Sequence, residues 1–296
     1  MLQLTNVHKR FGRVTAVDGL SLDVAPGEVM GLLGPNGAGK TTTIGMSVGL
    51  LRPDRGTVTL GTGDAGDAGG VGGVGGNPAD AHVRTLVGVA PQSIALYDAM
   101  TARENLVLFA RLHGLGRRDA IARAGELLER VGLADRAHHR VGGFSGGMKR
   151  RLNLAAALVA EPRLVLLDEP TAGVDPQSRH AIFDIVAGLK DAGVTVLFST
   201  HYMEEAARLC DRVAIVDHGR MLALGTVDEL IGAHGGPSMV VVRRRDAEEV
   251  RTQTSTPLEE LSRLIAQHGS SIAELRVENP DLEAVFLHLT GTEHRQ

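Results

Sequence analysis

Short apolar runs alternate with segments of helical spacing along most of this chain. Leu2 and Leu4, then Leu20, Leu22 and Val24, recur at every second residue, the period of half-buried strands. After the turn Pro26-Gly27, the unbroken run Val29-Met30-Gly31-Leu32-Leu33 reads as a buried strand. A helix-compatible segment begins near Lys40 and runs toward Leu51, with Pro53 as its stop, and Thr57–Leu60 gives a further strand. Thr101-Ala102-Arg103-Glu104 is a capping box, so a helix is expected over Ala102–His113, with Leu106, Phe109, Ala110 and His113 along one face. A second helical segment spans about Asp119–Gly132, and a long Ala/Leu-rich helix spans Met148–Val159. Leu164–Leu167 and Val194–Thr200 are leucine-rich or β-branched, the composition of fully buried parallel strands. With helical stretches between them they make βαβ units, hence a three-layer α/β core.

Two stretches depart from this pattern. From Gly61 to Gly76 the chain is a Gly/Ala/Asp tract with isolated valines, which offers nothing to pack, and is expected to be a loop or insertion (61–76). Past about Gly235 the spacing changes again. Met239–Arg243 reads as a strand, and Pro257–His268 as a helix with Leu258, Leu261, Leu264 and Ile265 on one stripe. Ile272–Glu278 alternates, with Ala273, Leu275 and Val277 on one side, and Leu282–Leu289 closes the chain as a helix. The expected organisation is a main domain over 1–235 and a small α/β appendage over 236–296.

Composition narrows the classes of function. A chain of 296 residues with 43% apolar and 22% charged residues is an ordinary globular protein with room for a sizeable core. Its net charge of −4 gives no bulk attraction to nucleic acid, and the absence of tryptophan argues against a base-stacking platform, so no nucleic acid partner is expected. Arg117-Arg118 and Arg243-Arg244-Arg245 read as solvated surface. The single cysteine, Cys210, rules out an intrachain disulfide, fits a reducing compartment, and reads as a small buried hydrophobe. No apolar run approaches the ~18 residues that a membrane-crossing helix needs, and no signal-peptide core is evident. A membrane role is therefore expected to come through a partner.

The chemistry begins at Gly34-Pro35-Asn36-Gly37-Ala38-Gly39-Lys40-Thr41-Thr42, which fits the G-x-x-x-x-G-K-[ST] pattern between a strand and a helix. Glycines there let successive N–H groups point at phosphate oxygens, and the helix N-terminus adds its positive dipole end. Lys40 can reach the β- and γ-phosphates, Thr41 can ligate Mg²⁺ and Thr42 can touch the α-phosphate. This stretch implies binding of a nucleoside triphosphate, and by itself leaves kinases, GTPases and ATPases open.

Downstream residues add to it. The strand Leu164-Val165-Leu166-Leu167 ends in Asp168 and Glu169. An Asp at a strand's C-terminal end can hold Mg²⁺ through its water shell, and the adjacent Glu can polarise an attacking water. Ser145-Gly146-Gly147 opens the Ala/Leu-rich helix, where a hydroxyl and bare N–H groups make a second anion site.

The order of these motifs resembles the nucleotide-binding domain of the ATP-binding cassette (ABC) superfamily, across roughly residues 2–230. Gly34–Thr42 is similar to its Walker A, Gln92 to its Q-loop residue, and Phe144-Ser145-Gly146-Gly147-Met148 to its signature. Leu164–Glu169 resembles Walker B, Ala172-Gly173-Val174-Asp175 the D-loop, and Ser199-Thr200-His201 the segment of the switch histidine. Phe11 stands where the family places an aromatic on adenine. Phe144 and Met148 depart from the commoner signature and, with Tyr202-Met203-Glu204-Glu205-Ala206, resemble the bacterial drug, antibiotic and polysaccharide exporters. The tail from Pro280 to Gly291 is similar to antibiotic-resistance ATPases of the daunorubicin-exporter type, and the 61–76 tract has no counterpart there.

The resemblance implies an α/β fold with a P-loop NTPase three-layer core and antiparallel β and helical subdomains. It implies an ATP hydrolase whose two copies clamp head-to-tail around two Mg-ATP. Each γ-phosphate then meets Lys40 and Thr41 of one copy and Ser145, Gly146 and Gly147 of the other, with Asp175 beside them. Glu169 orients the water, His201 contacts the γ-phosphate, and Gln92 joins the metal to the loop running toward Asn105, the docking surface for a membrane permease. The implied location is the cytoplasmic face of the membrane, as a peripheral subunit of an exporter. An importer ATPase and a soluble ATPase of the same fold without a transport role remain the alternatives.

Overall fold

The computed structural model describes residues 1–61, 76–245 and 249–291. The chain forms one compact unit over Met1–Leu224 and another over Gly225–Gln296. The first contains β1 (Leu2–Phe11), β2 (Val14–Val24), β3 (Val29–Leu33), α1 (Lys40–Ser47), β4 (Arg55–Leu60), α2 (Ala81–Arg84) and β5 (Val87–Ala90). It continues through α3 (Ala102–Leu112), α4 (Arg117–Arg130), α5 (Gly146–Ala157), β6 (Leu164–Asp168) and α6 (Pro176–Asp191). β7 (Thr195–Thr200), α7 (Met203–Leu209), β8 (Arg212–Asp217) and β9 (Arg220–Gly225) follow. The expected loop at 61–76 lies, apart from its two ends, outside the described residues.

A small antiparallel sheet has the order β2-β1-β4, and the larger sheet has the order β5-β6-β7-β3-β8-β9. Pairing is parallel from β5 through β8. β6 is buried at every position because both faces of the large sheet are covered. Its Leu164 and Leu166 join Leu2, Leu4, Leu22 and Met30 in one core, while Val165 and Leu167 join Leu106, Leu127, Leu152 and Ile182 in the other. Side chains alternate across a strand, so one apolar run serves the antiparallel sheet on one side and the helices on the other. The antiparallel sheet and the helical layer are those implied by the sequence.

Several boundaries shift, among them α4, which starts at Arg117 rather than Asp119, and α5, which runs Gly146–Ala157 rather than Met148–Val159. α1 stops at Ser47, short of Leu51: Gly49 turns at φ +72, and the Leu51 N–H closes onto the Gly45 carbonyl. In α3, capped as expected by Thr101 and Glu104, the buried face is Ala102, Asn105, Leu106 and Ala110. Phe109 only packs against the edge of the core and His113 is exposed. Asn105 takes the inward place by bonding the Tyr97 and Thr101 backbone at 2.8–3.1 Å.

The second unit comprises α8 (Val227–His234), β10 (Ser238–Arg244), β11 (Val250–Thr254), α9 (Pro257–His268), β12 (Ile272–Glu278) and α10 (Leu282–Thr290). It begins at Gly225 rather than 236, because α8 packs with α10. Its sheet has the order β11-β10-β12, with Val240, Val242, Leu264, Leu261, Leu275 and Val277 as a small core. The apolar stripe of α9 is wider than the sheet it covers, leaving Leu258 77% and Ile265 53% exposed. In β12 the pairing slips between Glu274 and Ile272, so Ile272 turns inward and Ala273, expected on the apolar side, is exposed.

Candidate active site

The apolar run of β3 delivers the chain to Gly34, and the P-loop closes at Gly39. Gly39 lies at φ +99, and a Cβ there would sit 2.3 Å from the Ala16 carbonyl oxygen, so only glycine lets α1 start at Lys40. Ala38 is buried, Pro35 half-buried, and Asn36 and Gly37 are exposed. The Lys40 ammonium folds back over this loop, donating to the Gly34 carbonyl at 2.7 Å and the Pro35 carbonyl at 3.1 Å. Thr41 is exposed and Thr42 half-buried in the first turn of α1, beside N–H groups that the helix itself cannot satisfy.

Because β6 and β7 pair in register, Asp168 lies opposite Ser199. The Ser199 hydroxyl donates to Asp168 Oδ1 at 2.7 Å and accepts the Glu169 N–H at 3.0 Å. Glu169 leaves the strand at φ +45, a conformation uncommon for a residue with a side chain. Its carboxylate is buried and touches three neighbours. Oε1 is 3.1 Å from Lys40 Nζ, Oε2 accepts from Gln92 Nε2 at 3.1 Å, and His201 Nδ1 is 3.4 Å from Oε2. That His201 nitrogen is buried without a hydrogen bond. Lys40, Gln92, Glu169 and His201 come from α1, the segment after β5, the end of β6 and the end of β7, and meet at the C-terminal edge of the sheet. This is where open parallel sheets place their ligands.

Among the described residues no group of three or more His, Cys, Asp or Glu side chains is arranged to hold a metal. Thr41, Gln92 and Asp168 instead offer a hydroxyl, an amide oxygen and one carboxylate. Such hard oxygen donors suit a magnesium ion that takes its remaining ligands from phosphates and water.

The remaining expected residues form a second cluster. Ser145 caps α5 by accepting the Met148 N–H at 3.2 Å, with Ser145 and Gly146 exposed. A Cβ on Gly147 would lie 2.0 Å from Ser178 Oγ, so the start of α5 sits directly on the start of α6. Asp175 caps α6, accepting the Ser178 N–H at 2.9 Å and its hydroxyl at 2.7 Å, and these bonds hold its carboxyl below the ordinary range. Among the described residues no hydrogen bond or ion pair joins this cluster to Lys40. Phe11 ends β1 at 49% exposure, with Lys9 Nζ 5.7 Å from the ring centre, so it is not part of a local core.

Three residues here have roles that their sequence positions do not announce. Ser199 ties Asp168 to Glu169, as just described. Arg150 donates to the Pro91 carbonyl at 3.3 Å and to the Gln92 carbonyl, fixing the segment that presents Gln92. Burial pushes the Arg150 guanidinium down, against the opposing pull of the Asp168 and Glu169 charges. Glu205, 2% exposed, crosslinks the segments after β6 and at the end of β7. The usable signal is pairing: once β6 and β7 are neighbours, Ser199 must face Asp168. Nothing in local spacing reveals Arg150 or Glu205.

Comparison with known proteins agrees with this geometry. The family model described as ABC transporter matches residues 17–172. The linearmycin resistance ATP-binding protein LnrL of Bacillus subtilis (strain 168) is 40% identical, over 98% of this chain and 98% of that protein. The daunorubicin resistance ATP-binding protein DrrA3 of Streptomyces coeruleorubidus is 41% identical, over 99% of this chain and 97% of that protein. The Nod factor export ATP-binding protein I of Burkholderia orbicola (strain AU 1054) is also 41% identical, over 99% and 97%. Among solved structures, an ATP-binding subunit of an ABC transporter superposes with a TM-score of 0.68 at 31% identity, covering 79% of this chain and 93% of that one. A dimeric, post-hydrolysis ATP-binding cassette bound to ADP and Pi gives 0.67 at 25% identity, covering 76% and 98%.

Proposed function

Because the chain belongs to the ABC transporter family, as an ATP-binding subunit that hydrolyses ATP, we propose that it is the motor of an exporter and drives a separate membrane permease from its cytoplasmic face. The observation that carries this reading is the convergence of Lys40, Gln92 and His201 on the buried Glu169 carboxylate. Names given to the relatives, for linearmycin and daunorubicin resistance and for Nod factor export, support outward transport as the direction.

In this reading the P-loop, Gly34 to Thr42, and the start of α1 wrap the phosphates. Lys40 exchanges its carbonyl contacts for phosphate oxygens, and Phe11, exposed at the end of β1, stacks on the adenine. Thr41, Gln92 and Asp168 are the residues that would hold Mg²⁺, which when bound neutralises phosphate charge and aligns the phosphates for in-line attack. Glu169 accepts a proton from the attacking water and His201 steadies the γ-phosphate. Phosphoryl transfer depends mainly on positioning and charge neutralisation, so each donor set matters.

Ser145, Gly146, Gly147 and Asp175 supply the rest from a second copy. They belong to a cluster separate from Lys40 in the same chain, and dimeric cassettes are among the structural neighbours. Hydrolysis then requires closure, and closure moves the permease docked on the groove beside Pro91, Ala95, Phe109 and His113. No helix among the described residues is long and apolar enough to cross a membrane, so the proposal assigns the pore to a partner.

The test is affinity purification of tagged Glu169→Gln protein with ATP from detergent-solubilised cells. Co-purification of a polytopic membrane protein supports the transporter reading, and that protein's transport direction decides export against import. Capture of ribosomes or DNA-bound complexes, or of nothing, would move the function to a soluble ATPase.

A further inference from the structure

Glu205 is a buried carboxylate that the proposed chemistry does not use. It occupies the third position of α7, where a glutamate ordinarily bends back to the N–H of the capping residue. Here that N–H, on Tyr202, donates instead to Thr200 Oγ1 at 3.0 Å. The Glu205 carboxylate is thereby free to join two other chain segments. Its Oε2 accepts the Thr200 hydroxyl at 2.7 Å and the Thr171 hydroxyl at 2.8 Å. Thr171 follows Glu169 by two residues and Thr200 immediately precedes His201, and both are 1% exposed. One carboxylate oxygen therefore fixes the main chain beside both residues that flank the reacting phosphate in the reading above.

A second linkage reaches the same two places from outside. Arg179, on α6 one turn beyond Asp175, places its Nε 3.6 Å from Glu205 Oε1, and its guanidinium stands 5.3 Å over the Tyr202 ring. The Tyr202 ring packs 4.0 Å from the His201 imidazole. Neither Arg179 Nε nor Glu205 Oε1 has a hydrogen bond, so the pair is held near contact without being closed.

We propose that Glu205 is a positioning residue for hydrolysis, using the Thr171 and Thr200 hydroxyls and Arg179 to hold Glu169, His201 and the Asp175 end of α6 in one register. The inference rests on the reading that Glu169 and His201 act on ATP. Displacement of a reacting group by about 1 Å can cost up to a hundred-fold in rate, so loosening two anchors is expected to appear in turnover rather than binding.

The experiment compares Thr171→Val, Thr200→Val and the double variant in the purified 296-residue chain, since valine keeps the shape and removes only the hydroxyl. Glu205→Gln retains a carbonyl acceptor, and Glu169→Gln is measured alongside. Each valine variant is expected to lower kcat about ten-fold, with KM and nucleotide affinity within about two-fold and the thermal midpoint retained. The double variant should lose less than the product of the singles, and Glu205→Gln should keep most of the activity. Unchanged kcat in both valine variants would overturn the inference, as would kcat, affinity and thermal midpoint falling together, which marks a packing role. If Glu169→Gln hydrolyses like the unmodified chain, the failure lies with the reading of the site and not with Glu205.

Discussion

Lys40 Nζ lies 3.1 Å from Glu169 Oε1, with both side chains almost wholly removed from solvent. The pair joins the residue proposed to bind phosphate to the one proposed to activate water. In that proposal Lys40 leaves the contact to reach a triphosphate, and Glu169 is then released to face the attacking water. Glu169→Gln is therefore expected to keep ATP affinity while lowering turnover by about 10²–10⁴-fold, the usual contribution of a general base. Sizing chromatography with Mg-ATP should show a trapped dimer, and a protein that stays monomeric would count against the arrangement. Lys40→Ala removes the phosphate contact and leaves the buried Glu169 carboxylate without its cation, so nucleotide binding is lost. Isothermal titration that finds unchanged affinity would remove the P-loop from the mechanism.

The proposed second anion site, at Ser145, is expected to separate binding from closure. Ser145 caps α5 and is exposed, so Ser145→Ala removes one cap bond, worth about 1 kcal/mol of stability, and the hydroxyl proposed to meet the partner copy. ATP affinity of the monomer should stay within about two-fold, because Ser145 has no part in the loop around Lys40. ATP-induced dimerisation in the Glu169→Gln background should weaken. Dimer formation at unchanged ATP concentration would exclude Ser145 from the interface.

Asp175 gives a dependence on pH whose sign is fixed. Its carboxyl is held below the ordinary 3.8 by the Ser178 N–H and hydroxyl, so the folded state favours the charged form. The resulting stability is fully present above that ordinary value and is lost as pH falls through the lowered folded value. Thermal unfolding of the unmodified chain and Asp175→Ala should differ at neutral pH and converge as the solution becomes strongly acidic. A gap that persists or widens on acidification would assign the effect to helix geometry rather than to the charge.

Much of this architecture is legible in the sequence where short-range physics decides it. Val29–Leu33 and Pro257–His268 are bounded to the residue, the first by turns around an apolar run, the second by Pro at its start and Gly269 at its end. The capping box at Thr101 and the P-loop are equally local. What escapes the sequence depends on partners distant along the chain. The slip that exposes Ala273 and turns Ile272 partly inward is set by pairing with β10, and the outward Leu258 and Ile265 by how little sheet α9 covers. α8 reads as the end of the first domain until its packing on α10 is known. Within the site, Gln92, Glu169 and His201 carry motif signals, whereas Glu205 gains its meaning from hydroxyls 34 and 5 residues away.

The groove beside the helical layer should discriminate the motor from its docking surface. Leu50 lines it together with Val89, Pro91, Phe109, His113 and Ala156, and Leu50 is 77% exposed. Covering one such leucine contributes about 1.5–3 kcal/mol, and a carboxylate in its place adds a desolvation cost on docking. Leu50→Glu is therefore expected to weaken permease capture by at least about ten-fold, the equivalent of 1.4 kcal/mol. Basal hydrolysis by the free subunit should be unchanged, because Leu50 follows α1 and the groove it lines includes none of Lys40, Gln92, Glu169 or His201. Leu112→Glu serves as the control, since Leu112 is 70% exposed and lies outside the groove. Equal loss of permease capture in both variants would show that added surface charge is responsible, and no loss in either would place the docking surface elsewhere.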